Sequence, residues 1–126
     1  YQPLDEASQT IRLLRIHPPS ESSSELECTL FPARLEGNPQ FTALSYVWGD
    51  PTIKETIIVN GWPIKVTINL ATALRHLQVT NVRPILDSFW ADGICIDQSN
   101  LKERGSQVAL MGQLHRQATL VCSWMG

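Results

Sequence analysis

Three carboxylates, a thiol and an arginine fall close together in the stretch FWADGICIDQSNLKERGSQV, Phe89 to Val108. It opens as a buried strand would, carries Asp92 and Asp97 in its apolar run, and turns into a helix start holding Glu103 and Arg104. Charge placed where a core forms is costly unless it is paired or hydrogen-bonded. One use for it is a polar pocket walled by the strand's end and the helix's first turn, where the positive helix end favours anionic groups.

In a helical projection from Leu101, the residues Val108, Met111, Ala118, Leu114 and Leu110 fill one arc. Glu103, Arg104 and Gln107 fall inside that arc, while Lys102, Ser106, Gln113, Arg116 and Gln117 take the solvent side. Glu103 then points into a cleft beside the Asp92 to Gln98 loop, with Asp97 and Arg104 near it. The same residues admit a structural use. Asn100 and Glu103 have the N-cap to N3 spacing of a capping box, and Glu103 and Arg104 can pair with groups on neighbouring loops such as Asp92 or Asp97.

Other candidates divide in the same way. Cys95 as a nucleophile needs a base, and nothing in the spacing brings His17, His76 or His115 to it, so a buried structural thiol is the simpler reading. The histidines lack metal-ligand spacing and Asp92 and Asp97 form no calcium loop, so no metal site is expected. Trp48 sits on a Gly49-Asp50-Pro51 turn, where its ring can either stack on a ring-shaped ligand or pack in the core. Ser45 either faces a polar neighbour in its strand or touches ligand.

The elements that must position these groups follow from periodicity and turn chemistry. Ile11 to Ile16 (IRLLRI) is a short apolar run closed by His17-Pro18-Pro19, and Leu26, Cys28 and Leu30 alternate with polar residues; both read as strands. Phe41 to Val47 is a third. ETIIV and WPIKVTI flank Asn60-Gly61, the pair best suited to a two-residue type I′ hairpin. Asn69 is placed to cap a helix carrying Leu70, Ala73, Leu74 and Leu77, followed by a strand from Phe89 and Trp90 towards Ile94 and Ile96. A long helix from about Leu101 to Ala118 and a last strand, TLVCSW, complete the order. A hairpin set followed by helix, strand, helix, strand predicts an α/β fold, its later strands parallel and joined by crossover helices. Ligands in such sheets sit beyond the carboxyl ends of the strands, which places a site at DGICIDQSN.

Composition narrows the function classes. At 126 residues the chain is sized for one domain, read here as spanning 1–126, and its start without methionine suggests a piece of a longer protein. A net charge of −2 provides no basic stripe for nucleic acid. No apolar run is long enough to span a bilayer, and three scattered cysteines fit a reducing cytoplasm.

The motifs FTALSYVWGDP, INLATALRHL and FWADGICIDQSNLKERGSQVALMGQLHRQATLVCSWMG, after the opening YQPLD and IRLLRI, resemble the fungal heterokaryon-incompatibility (HET) domain along nearly the whole chain. The family usually has Ile at Ala91, Ala at Gly93, Asn at Asp97 and Tyr at His115. The resemblance implies a cytoplasmic effector of fungal non-self recognition that triggers programmed cell death. It also implies self-association and a place beside regulatory or nucleotide-binding receptor modules in the same or another protein.

A more distant similarity links the family to TIR domains, which have a flavodoxin-like sheet and in several lineages hydrolyse NAD. That similarity implies a TIR-like sheet and, with no bound cofactor, NAD or a related nucleotide as substrate. Glu103 would be the catalytic carboxylate that engages the ribose hydroxyls and stabilises an oxocarbenium-like state. Ser45, Trp48, Gly49, Asp50, Asp92, Cys95, Asp97, Gln98, Arg104 and Gln107 would surround the substrate. The tryptophan-cysteine-glutamate signature of TIR enzymes is absent. Two alternatives therefore stand beside the enzyme: a non-catalytic module that kills through protein partners, and a nucleotide-binding switch.

Overall fold

The computed structural model describes residues 9–17, 25–46, 52–80, 88–118 and 120–124. The strands are β1 (Thr10–Ile16), β2 (Glu27–Arg34), β3 (Thr42–Tyr46), β4 (Lys54–Val59), β5 (Trp62–Thr67), β6 (Ser88–Trp90) and β7 (Leu120–Trp124). The helices are α1 (Ile68–Thr80), the single turn α2 (Asp92–Cys95) and α3 (Leu101–Gln117).

These strands join in one sheet of order β5-β4-β2-β1-β6-β3-β7. β3, β6 and β7 run parallel, and β1 lies antiparallel to both β2 and β6. The expected α/β architecture is therefore present, with a partly parallel sheet, helices in the crossovers and an antiparallel hairpin at the amino-terminal side. β1 holds the middle. Without β1 and β2 the sheet would separate into the β4–β5 hairpin and the parallel trio.

The burial of β1 reflects that position. From Thr10 to Leu14 every residue is buried, so both faces of the strand are covered. Register assigns the faces: Arg12 and Leu14 share one with Pro32 and Leu30, and Ile11 and Leu13 share the other with Ala33 and Phe31. Ile11, Leu13 and Leu14 are at most 2% exposed, and each contributes about 1.5–3 kcal/mol through burial. A basic residue in that setting must find an acid.

The Asn60-Gly61 hairpin forms as its sequence requires, with φ of 53° and 81° at the two turn residues. Three local expectations change. α1 begins one residue before Asn69, and its cap is Thr67, whose Oγ1 accepts the Leu70 N–H at 3.4 Å. β6 stops at Trp90 instead of continuing to Ile96, because Ala91 O accepts the amides of Ile94 and Cys95 at 3.2 and 2.8 Å and closes a helical turn. A short apolar run such as Ile94-Cys95-Ile96 has no period that separates strand from helix.

The third change is the facing of α3. Glu103, Gln107 and Leu114 are buried, but Arg104 is exposed and Val108 is 56% exposed. The inward stripe is thus more polar than the apolar arc suggested, because buried partners on β1 and the preceding loop hold the two polar residues. Among the described residues no helix is long and apolar enough to cross a membrane.

Candidate functional site

Just beyond the carboxyl end of β6, the chain folds into α2, a tight loop and the first turn of α3. Backbone and side-chain bonds tie these pieces together. Gln98 Nε2 donates to Asp92 O at 2.7 Å, Asp97 Oδ1 accepts from Ser99 N and Oγ at 3.2 and 2.7 Å, and Asn100 N donates to Asp97 O at 3.1 Å. Asn100 Oδ1 then accepts the Glu103 N–H at 3.1 Å and caps α3. This is half of the expected capping box.

The other half does not form, because the Glu103 carboxylate points elsewhere. Arg12, from β1, grips it with both terminal nitrogens: Nη2 donates to Oε1 at 2.6 Å and Nη1 to Oε2 at 2.7 Å. Oε2 also accepts the Asp97 N–H at 2.6 Å. Arg12 Nη1 further donates to Cys95 O at 3.2 Å. Two residues 91 positions apart thus meet as a bidentate pair with side chains 5% and 7% exposed, placed at the end of a helix that favours an anion. Gln107, one turn on, continues the join by donating to Thr10 O at 3.1 Å.

Asp97, Gln98 and Gln107 therefore do gather around Glu103 and its loop, and Glu103 does face inward. Its acceptor capacity is largely taken by Arg12 and Asp97. Asp92 contributes its carbonyl to this loop and is half-buried. Arg104 departs from expectation by facing solvent, since the stripe that buries Glu103 and Gln107 leaves it on the exposed flank of the helix. Ser45 stands exposed in β3, in register with Ser123 of β7 and apart from this network. Trp48, Gly49 and Asp50 lie outside the described residues.

Cys95 is fully buried, and burial pushes its thiol up to about 12, leaving it protonated at neutral pH. Its sulfur accepts from Ala91 N at 3.4 Å, a structural contact. His115 is engaged with Met111 O at 2.8 Å and meets Trp90 edge-on at 5.9 Å, while His17 bonds Thr29 at 2.6 Å. Among the described residues no group of three or more His, Cys, Asp or Glu could hold a metal ion.

Arg12 is the residue that reading the sequence missed. It lies within an apolar strand, where a basic residue needs a buried acid, but nothing in the sequence spacing identifies Glu103 as that acid. A hollow of about 680 Å³ lies on the other side of Arg12. Its walls are Leu30, Phe31 and Pro32 of β2 and Val59, Asn60, Trp62 and Ile64 of the β4–β5 hairpin. Glu103 does not border it.

Comparison with known proteins places the chain in a family. Residues 41–126 match the family described as Heterokaryon incompatibility protein (HET). The chain is 37% identical over 133 residues to "Heterokaryon incompatibility protein 6, OR allele" of Neurospora crassa. That similarity covers 98% of the chain and 20% of the relative, so the chain spans about one fifth of the protein it matches. No solved structure matches. The family match starts downstream of β1, whereas the relative's similarity takes in almost the whole sheet, Arg12 and Glu103 together. On both counts the chain belongs to the heterokaryon incompatibility family.

Proposed function

We propose that this chain is a cell-death effector domain of fungal non-self recognition that signals through protein partners, with the Arg12–Glu103 pair fixing the loop between α2 and α3. The role draws on the similarity to a heterokaryon incompatibility protein. The mode of action draws on one observation: the Glu103 carboxylate is held by two arginine nitrogens and a backbone amide, a complement that serves structure and leaves little for a substrate hydroxyl. The buried, protonated Cys95 supplies no alternative nucleophile.

A second reading keeps the enzyme. It is favoured by the place of Glu103, an inward carboxylate in the first turn of a helix beyond the carboxyl end of a parallel strand, where α/β sheets commonly hold ligands. In that reading a nucleotide displaces Arg12, Glu103 engages the ribose hydroxyls, and the N-glycosidic bond of NAD breaks with nicotinamide leaving and water adding at the ribose anomeric carbon. Self-association would complete the pocket.

One pair of substitutions separates the two. Arg12→Met together with Glu103→Leu removes both charges at similar volume, an exchange that buried ion pairs often tolerate. The signalling reading expects the doubly substituted protein, folded by circular dichroism, to kill fungal cells as the parent does, with NAD untouched by either purified protein. A folded double variant that fails to kill, beside a parent that releases nicotinamide from NAD, would establish the enzyme instead.

A further inference from the structure

β2 is longer than its neighbour on one side. Its register with β1 runs from Cys28 to Arg34, but its register with β4 ends at Cys28 opposite Val59. Asn60 extends that ladder by one step with its side chain: Oδ1 accepts from Leu30 N at 2.9 Å and Nδ2 donates to Leu30 O at 3.1 Å. The β4–β5 hairpin then turns away. Because alternate residues of a strand present their main chain to the same side, Pro32 and Arg34 are next in line, and no described strand faces them. Among the described residues the edge thus offers the Pro32 carbonyl and both main-chain groups of Arg34.

Beside this edge lies the hollow, with Leu30, Val59 and Ile64 as apolar walls and Trp62, 73% exposed, on the hairpin. Arg34 shares the Leu30 and Pro32 face, its side chain is 66% exposed, and it pairs loosely with Glu36 at 3.9 Å on the surface. A row of backbone donors and acceptors is matched by another extended backbone, and an adjoining apolar hollow by its side chain. We propose that this notch binds a short extended segment of a partner protein, apolar where it passes the hollow and acidic two residues away, beside Arg34. Pro32 argues against a second copy of the same edge as occupant: two such edges would each lack a donor at the centre of the ladder. The proposal does not depend on whether Glu103 is catalytic.

The test selects random peptides displayed on phage against the full chain, then measures synthetic peptides by fluorescence anisotropy and by amide exchange. The expected winners carry an apolar residue and an Asp or Glu two positions away from it, and they slow exchange at the Arg34 amide. Trp62→Ala, whose exposure leaves the fold intact, weakens them by about tenfold or more, as does N-methylation of the peptide amide facing Pro32. The proposal is overturned if no sequence is enriched, if binding ignores both changes, or if Arg34 exchange is unmoved. Dimerisation of the chain through this edge would overturn it equally.

Discussion

Two arginine–glutamate pairs in this chain differ in almost everything except chemistry. Arg12–Glu103 is buried, bidentate, bonded on to Asp97 and Cys95, and joins strands and helices 91 residues apart. Arg75–Glu55 links α1 to β4 with side chains 40% and 31% exposed. Solvent and ions reach the second pair and screen it, so it is worth about 0–1 kcal/mol. Removing one partner of the first leaves a charge stranded in the core, at a cost of about 3–5 kcal/mol. Charge contributes specificity where it is dry and little where it is wet. The dry pair, together with the β1–β6 and β2–β4 ladders, ties the amino-terminal strands to the segment in which the family match falls.

The largest effect that would break this contrast is removal of residues 1–40. That truncation takes away β1, β2 and Arg12 while keeping all of 41–126, and the shortened chain is expected to show no cooperative unfolding transition by circular dichroism. Next comes Glu103→Ala, expected to lower unfolding free energy in urea by about 3–5 kcal/mol, against about 0.5 kcal/mol for Glu55→Ala.

The buried thiols sharpen the same contrast through pH. Burial raises Cys28 and Cys95 from an ordinary 9.0 to about 12, so the folded chain keeps protons that the unfolded chain loses. Their contribution is full below pH 9 and fades as pH rises from about 9 to about 12, which a series of alkaline denaturation curves would register against a Cys95→Ala reference. In the native protein neither thiol should react with iodoacetamide at pH 8 except by unfolding. The smallest effect is salt: raising ionic strength should weaken the contribution of Arg75–Glu55 and leave that of Arg12–Glu103 nearly unchanged.

Much of the fold was legible. The Asn60-Gly61 turn, the alternation in β2 and the helix–strand order all follow local rules that tertiary contacts did not overturn. The site was legible in part. The apolar helical arc points Glu103 inward and its spacing makes Asn100 the cap, and both hold in the structure. What stayed hidden was non-local. Nothing in the spacing of Arg12 tells that β1 lies between β2 and β6, and only that placement brings its guanidinium to α3. Arg104 was misplaced for a related reason: the polar partners that draw Glu103 and Gln107 inward rotate the helix relative to its apolar pattern.

The most direct test is a double-mutant cycle on Arg12→Met and Glu103→Leu, read as unfolding free energies in urea. The account predicts a large coupling: each single variant loses about 3–5 kcal/mol, and the double variant loses far less than their sum. Losses that simply add would mean that the two side chains act independently, and would contradict the claim that this pair holds the sheet and the α2–α3 loop together.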